Sequence, residues 1–143
     1  MLVAMTDSLS LLVVDDESSN QLVASLMLEH AGHEVLCCEN GQEAIRLLLE
    51  QEARFDAVFM DVVMPVMNGL EAIRRLRAAP RTRDLPIVCV SAKATDRDQA
   101  EALAAGCDVY LTKPYQRQQL LEALDQSLGR RRLLGTEPQE DPP

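Results

Sequence analysis

Five reactive side chains each follow a short apolar segment of the sequence, and their types suit the binding and transfer of a phosphoryl group. Asp15 and Asp16 come directly after LLVV, and Asp61 comes directly after DAVFM. Ser91 follows IVCV, and Lys113 lies just beyond VYL. Carboxylates about 4 Å apart repel one another by up to roughly 4 kcal/mol per pair at an effective dielectric of about 20, and a divalent cation would relieve that repulsion. Because the candidate ligands are all oxygen atoms, the preferred cation is Mg²⁺, which commonly bridges to phosphate.

Each of these residues also has an ordinary structural explanation. Asp15 and Asp16 could be acids that favour a helix start, and Asp61 could be a turn residue. Ser91 could be a local cap, and Lys113 a solvated strand end. Chance would have to place all of them at matching positions, so the joint pattern favours a reactive site. There Asp61 would act as a nucleophile on phosphorus, while Lys113 and Ser91 would contact phosphoryl oxygens.

An alternation of apolar and amphipathic segments predicts the elements that position these side chains. Five strand-length apolar runs alternate with five amphipathic stretches, which is typical of an α/β fold with a parallel sheet covered by helices on both faces. The second and fifth runs are shorter or have polar neighbours, so we expect them at the edges. All carboxyl ends of parallel strands meet at one rim, where ligands bind. The runs cover residues 11–14, 34–38, 56–60, 87–90 and 109–111.

Capping residues predict where several of the helices begin and end. Ser18 or Ser19 is a candidate N-cap for the first helix, and Asn40 begins a capping-box pattern for the second. The fourth helix is expected to start near Thr95 or Asp96 and to stop at Gly106, the usual residue type for a left-handed cap.

Length and composition predict one domain with short flanking segments. We expect residues 1–9 to be an N-terminal extension and residues 10–129 to form the domain. Residues 130–143 are rich in Pro and acid and are expected to be a disordered tail. The arginine clusters are interpreted as a solvated helix face and part of this tail. They comprise Arg74, Arg75, Arg77, Arg81, Arg83 and residues 130–132.

The overall charge and apolar content exclude several classes of protein. A net charge of −9 argues against a nucleic-acid partner. No run approaches the roughly 20 apolar residues of a membrane span, and the start MLVAMTDS lacks a basic leader, so we expect a cytoplasmic protein without membrane insertion. The irregularly spaced cysteines are interpreted as buried thiols. They are Cys37, Cys38, Cys89 and Cys107.

The motifs around these residues resemble the receiver domain of two-component response regulators, a CheY-like family, over about residues 10–128. They are LLVVDDE, FMDVVMPVMNGLEA, VSA and YLTKP. The resemblance implies a flavodoxin-like (βα)5 fold with strand order 2-1-3-4-5. It implies that a histidine kinase or a histidine phosphotransfer protein donates phosphoryl to Asp61. Asn20 and the MPVMNG loop are most similar to receivers of hybrid sensor kinases.

The same resemblance implies a metal site. Asp16 and Asp61 would bind Mg²⁺ directly, Asp15 would act mainly through water, and Val63 would offer its backbone carbonyl. Mg²⁺ is the cofactor implied. The domain would not be an enzyme in the usual sense, since it would promote only its own phosphorylation and dephosphorylation.

Further residues correspond to the family's switch. Ser91 and Lys113 would hold the phosphoryl oxygens, and Pro114 suggests a cis Lys113–Pro114 bond. Tyr110 stands where the family keeps an aromatic residue that turns inward when Ser91 moves; its alternative is an ordinary edge-strand tyrosine with a hydrogen-bonded hydroxyl. A downstream protein would bind the face made by the fourth helix, fifth strand and fifth helix.

Three other kinds of protein are weighed against a phosphorylated receiver. One is a pseudo-receiver, a protein-binding module that is never phosphorylated. Another is a phosphatase of the haloacid dehalogenase type, which Val63 disfavours because it replaces the second acid of that family's DxD motif. A flavin or nucleotide binder is excluded because acids, and no glycine-rich loop, follow the first strand. The chain could be a free-standing receiver or part of a hybrid kinase. In either case it could pass the phosphoryl group on as a relay or act as a phosphate sink.

Overall fold

The computed structural model describes residues 8–136, and it contains a five-stranded parallel sheet. The strand order is β2-β1-β3-β4-β5, which confirms the predicted flavodoxin-like order and the two predicted edge strands. Every residue of β3 and β4 is buried, as expected for strands covered on both faces. The strands are β1 (Ser10–Val14), β2 (Glu34–Cys38), β3 (Ala57–Asp61), β4 (Ile87–Ser91) and β5 (Val109–Thr112).

A helix follows each strand, and some of the helix caps were predicted. The side chains of Asn40 and Thr95 accept N–H groups of their own first turns at 2.9 and 3.1 Å, and Gly106 ends its helix with a φ of 122°. No helix in the described part of the chain combines the length and apolar character that a membrane span needs. The helices are α1 (Ser18–His30), α2 (Gly41–Ile45) with a π-helical turn (Arg46–Glu50), α3 (Gly69–Ala78), α4 (Asp96–Ala105) and α5 (Arg117–Thr136).

The start of α1 differs from the prediction. The N-cap is Glu17, and its side chain makes no capping hydrogen bond, so neither Ser18 nor Ser19 has the predicted role. The physical reason is that the Asp15 carboxylate already accepts the Glu17 N–H at 2.9 Å. This bond turns the chain into the helix before either serine is reached.

Two apolar layers cover the sheet. Residues of α2, α3 and α4 pack on one face, around Leu48, Ile73 and Ala102. Residues of α1 and α5 pack on the other face, around Leu28 and Leu120. Each fully buried aliphatic side chain of this kind stabilises the fold by about 1.5 to 3 kcal/mol relative to its exposed state. The layers hold the strands in register and thus fix the rim at which the reactive residues lie.

The last helix extends further than the sequence indicates. We expected a disordered tail from residue 130, but α5 continues through Gly129 to Thr136. The reason is an interaction with a distant residue: Arg130 Nε and Arg131 Nε donate to Asp108 Oδ1 at 3.2 and 2.7 Å. The rest of that predicted tail, 137–143, and most of the predicted N-terminal extension, 1–7, lie outside the described residues.

Asp108 is the centre of an ionic cluster at the opposite end of the sheet from Asp61. Its side chain is 0% exposed, and it accepts Arg77 Nη2 at 3.0 Å and the Ile87 N–H at 2.9 Å in addition to the two arginines of α5. We call Asp108, Arg77, Arg130 and Arg131 the Asp108 cluster. Arg77 and Arg131 are therefore not solvated, contrary to the interpretation from the sequence. Arg77 also donates to the carbonyl groups of Thr82, Arg83, Leu85 and Gly106.

Three of the four cysteines are buried, as predicted. Cys38, Cys89 and Cys107 are buried, whereas Cys37 is half-buried and lies 3.0 Å from the Ser25 hydroxyl. All four are free thiols.

Val66, in the loop after β3, has an unfavourable backbone conformation. Its φ is 70°, and its side chain is 80% exposed. A β-branched residue in the left-handed region costs roughly 1 to 2 kcal/mol, whereas asparagine tolerates it much better. We expect Val66→Asn to raise the free energy of unfolding by about 1 kcal/mol in urea titrations. Val63→Asn is the matched control, since Val63 is also exposed but has no positive φ. An equal effect of both substitutions would contradict this explanation.

Candidate functional site

The carboxyl edge of the sheet brings the predicted acids and the lysine together. Asp15 directly follows β1, Asp61 is the last residue of β3, and carboxylate oxygens of Asp15, Asp16 and Asp61 lie within 4.8 Å of one another. Lys113 follows β5, and its Nζ lies 3.0 Å from Asp15 Oδ2 and 3.5 Å from Asp61 Oδ2. Ser91, the last residue of β4, is fully buried. The side chains chosen from four separate segments therefore meet at one edge.

Local hydrogen bonds orient the acids. Asp61 Oδ1 accepts the Val63 N–H at 3.3 Å. The Asn20 side-chain amide donates to Glu17 Oε1 at 2.8 Å and makes a longer contact of 3.5 Å with Asp15 Oδ1. The peptide bond between Lys113 and Pro114 is cis, as predicted.

Burial and crowding change the titration of Asp61. Burial raises the pKa of this carboxyl to about 6, and the charges of Asp15 and Asp16 add to the rise, while Lys113 and the Val63 N–H oppose it. For Lys113, burial lowers the pKa, but the hydrogen bond to Asp15 and the charge of Asp61 outweigh it, so the net shift is upward. At neutral pH the site holds three mutually repelling carboxylates beside one ammonium group. Extra positive charge would stabilise this arrangement.

Ser91 and Tyr110 are linked through the backbone of Lys93, a role that was not predicted. The Lys93 N–H donates to Ser91 Oγ at 3.1 Å, and the Tyr110 hydroxyl donates to the Lys93 carbonyl at 2.7 Å. The Tyr110 ring packs against the core layer of α2, α3 and α4. Tyr110 thus has a hydrogen-bonded hydroxyl, as expected for an ordinary edge-strand tyrosine. Its acceptor, however, lies in the loop that follows Ser91. The backbone of Lys93 connects the two predicted switch residues.

Two further residues hold the acids in place through backbone atoms. The side-chain amide of Gln21 donates to the carbonyl groups of Asp15 and Cys38. The backbone of Gly69 lies so close to Asp61 that an added Cβ would be 2.2 Å from the Asp61 carbonyl oxygen. The glycine of the MPVMNG loop is a usable signal for a close approach, whereas nothing in the sequence marks Gln21.

Comparison with known proteins adds the decisive observation. The family model for the response regulator receiver domain matches residues 11–125. The chain belongs to this family. The receiver is 35% identical over 119 residues to the protein PilH of Pseudomonas aeruginosa, a match that covers 83% of the chain and 97% of PilH.

Receivers within larger proteins are also similar to this one. The sensor protein GacS of Pseudomonas syringae pv. syringae is 40% identical over 79% of the chain, which corresponds to 13% of GacS. The crystal structure of the receiver domain of sensor histidine kinase PA1611 from Pseudomonas aeruginosa has a TM-score of 0.78, with 34% identity over 86% of this chain and 99% of that one. That structure has a magnesium ion coordinated in its active site cleft. Family membership decides against the haloacid dehalogenase alternative.

The raised pKa of Asp61 predicts that removing its charge stabilises the receiver at neutral pH. The native pKa of about 6 lies above the ordinary 3.8, so the folded state binds more protons between these values and stability falls as the pH rises through them. Asp61→Asn removes this penalty. In the absence of divalent cations, we expect the free energy of unfolding of the variant to exceed that of wild type by about 1 to 3 kcal/mol near pH 8. Near pH 4 the two values should differ little.

Urea titrations across this pH range measure the effect. Asp125→Asn, an exposed substitution on α5, is the matched control and should show no pH-dependent gain. A constant difference between Asp61→Asn and wild type from about pH 4 to 8 would show that the Asp61 charge carries no such penalty.

Proposed function

We propose that this receiver is a phosphoacceptor domain of a two-component phosphorelay, in which Asp61 takes the phosphoryl group from a phosphohistidine with Mg²⁺ bound. The observation that carries the proposal is the position of Asp61, whose carboxylate lies 3.5 Å from Lys113 Nζ and within 4.8 Å of the carboxylate oxygens of Asp15 and Asp16. A buried nucleophile, a cation and a metal-ligating acid pair are the parts that phosphoryl transfer to an aspartate requires.

The bonds that change in the reaction belong to the donor and to this carboxylate. An Asp61 carboxylate oxygen forms a bond to phosphorus while the bond between phosphorus and the donor's imidazole nitrogen breaks. The imidazole leaves with the electron pair of the broken bond. Lys113 is already next to Asp61 and can move its ammonium group from Asp15 to a new phosphoryl oxygen. The Ser91 hydroxyl oxygen accepts the Lys93 N–H, so its own proton remains able to donate to another phosphoryl oxygen.

The donor set fits Mg²⁺. Asp16 and Asp61 would bind the ion directly, Asp15 mainly through water, and Val63 through its backbone carbonyl, so every ligand is an oxygen atom. When bound, Mg²⁺ would screen the attack of an anion on an anion. Burial raises the pKa of Asp61, and the charges of Asp15 and Asp16 add to the rise, so a bound cation would favour the ionised carboxylate that the reaction needs.

An apolar surface beside the site suits a protein donor. Leu22, Val23 and Leu26 of α1 are exposed, and Val23 lines a groove together with Lys113 and Pro114. Scattered exposed aliphatic residues are common, but three so close together on one helix form a patch. We place the histidine-bearing helix of a kinase or phosphotransfer protein here, because this patch is adjacent to the residues that meet the phosphoryl group.

The output would lie on a different face. Tyr110 of β5 and the exposed Leu103 of α4 belong to the surface of α4, β5 and α5, which we assign to a downstream protein. Phosphorylation would draw Ser91 toward the acyl phosphate and release the Lys93 loop that Tyr110 now holds. The domain would promote only its own phosphorylation and dephosphorylation, in the cytoplasm.

Intact mass measurement tests the proposal. Wild type, Asp61→Asn and the control Asp125→Asn are incubated with a small-molecule phosphodonor, with and without Mg²⁺. We expect one base-labile phosphoryl group on wild type and on the control, only when Mg²⁺ is present, and none on Asp61→Asn. If wild type gains no mass in Mg²⁺, the phosphoacceptor function is wrong and the pseudo-receiver becomes the better description.

A further inference from the structure

The side chain of Gln21, in the first turns of α1, joins two strands of the sheet at the acid pair. Its Nε2 donates to the Asp15 carbonyl at 2.7 Å and to the Cys38 carbonyl at 3.2 Å. The Asp15 N–H donates to the same Cys38 carbonyl at 3.1 Å. Gln21 therefore ties the end of β1 to the end of the edge strand β2.

The Asp15 carbonyl belongs to the peptide group that links Asp15 to Asp16. A bond to this oxygen limits the rotation of that peptide group, and the rotation decides where the Asp16 side chain points. Asp16 is exposed, so the packing of the core does little to fix it. Repulsion among the three carboxylates favours movement of Asp16 away from Asp61 into solvent. The Gln21 amide opposes this movement without contacting a carboxylate.

We infer that Gln21 is a positioning residue for the metal site, which acts by holding the Asp15–Asp16 peptide group so that the three carboxylates converge. The inference rests on the proposed function, since it concerns the same Mg²⁺. Residues that orient metal ligands through hydrogen bonds typically contribute about 10-fold or more to metal affinity. Gln21 makes contacts of this kind, but their acceptors are backbone carbonyl groups. Only the N–H groups of its amide take part, and the amide oxygen is not needed for them.

The test compares two glutamine-to-methionine substitutions. Gln21→Met keeps the length of the side chain and removes the donors. Gln42→Met is the matched control, because Gln42 is an exposed residue in the first turn of α2. Isothermal titration calorimetry gives the Mg²⁺ dissociation constant of each protein, and urea titration without Mg²⁺ gives its stability. We expect about a 10-fold weaker Mg²⁺ affinity for Gln21→Met and no change for Gln42→Met.

A merely structural role would give a different result. If Gln21→Met is less stable but its Mg²⁺ affinity stays within about twofold of wild type, the inference is overturned. If Gln21→Met does not fold, the inference is tested by nuclear magnetic resonance on the wild-type protein. The Gln21 side-chain amide resonances should then be protected from exchange and should shift as Mg²⁺ is added, whereas exchange and shifts like those of exposed glutamines would overturn the inference.

The outcome is separable from that of the phosphodonor experiment. Wild type that binds Mg²⁺ but gains no phosphoryl group would refute the phosphoacceptor function while leaving the role of Gln21 intact. Wild type that binds no Mg²⁺ would refute the role of Gln21.

Discussion

Asp108→Asn should lower the free energy of unfolding by about 3 to 5 kcal/mol, because it removes the buried carboxylate at the centre of a group of arginines, two of which are largely buried. Arg77 and Arg131 have side chains only 13% and 15% exposed. Burial lowers the pKa of Arg77 to about 10, and the charge of Asp108 partly offsets this effect. Asparagine cannot supply that charge, and its amide N–H group would face other donors. The buried positive charges would then have lost their counter-charge.

Urea titration of Asp108→Asn beside Asp125→Asn measures this effect. Asp125 lies on the exposed face of α5, so its substitution should change stability little. Hydrogen exchange should show the largest loss of protection in residues 130–136, which the arginines attach to Asp108. Mg²⁺ binding by the folded variant should persist, since the site lies at the other end of the sheet. A loss of stability below about 1 kcal/mol would mean that the cluster contributes no more than a surface ion pair.

Gly69→Ala should damage both the fold and the site. An alanine Cβ would lie 2.2 Å from the Asp61 carbonyl oxygen and 3.0 Å from Met60 Cγ. The first contact is with backbone, which cannot rotate away as a side chain can. The strand end that carries Asp61 must therefore shift. We expect a loss of about 2 to 3 kcal/mol or more in the free energy of unfolding, and weaker Mg²⁺ binding by the folded fraction.

Gly129→Ala is the control for this substitution. Gly129 lies inside α5, and a Cβ added there would meet no atom outside its own helix turn within 4 Å, so alanine fits without a clash. A glycine in a helix costs about 1 kcal/mol relative to alanine, and we expect Gly129→Ala to stabilise the protein by that amount. Similar stabilities for Gly69→Ala and wild type would show that β3 has room to move at Asp61.

The sequence predicted the sheet and the acids well because both depend on simple periodic rules. Parallel strands share one carboxyl edge, so residues that follow them must meet, and Asp15, Asp61 and Lys113 do so. The end of α5 was not predictable in this way. Gly129 and the arginines after it resemble the start of a tail, and the helix is maintained by Asp108, a residue far away in sequence.

The supporting contacts of Gln21 and Lys93 were not predicted, for a related reason. Gln21 and Lys93 act through backbone carbonyl and amide groups, which nearly every residue has. Such partners come into place only when the strands are paired, and no residue type marks them. Residues with reactive side chains can therefore be recognised in a sequence more readily than residues whose hydrogen bonds only fix the position of a loop.

The placement of the aromatic residues gives the protein a built-in optical probe. The sequence has two tyrosines and no tryptophan, so the near-ultraviolet signal comes mainly from Tyr110 and Tyr115. These residues lie on either side of Lys113 in the sequence. The Tyr110 hydroxyl donates to the Lys93 carbonyl. Tyr115 packs in the layer of α1 and α5, where burial raises its pKa. Tyrosine emission and circular dichroism of unlabelled protein should therefore follow events at this edge of the sheet, and Tyr110→Phe separates the two contributions.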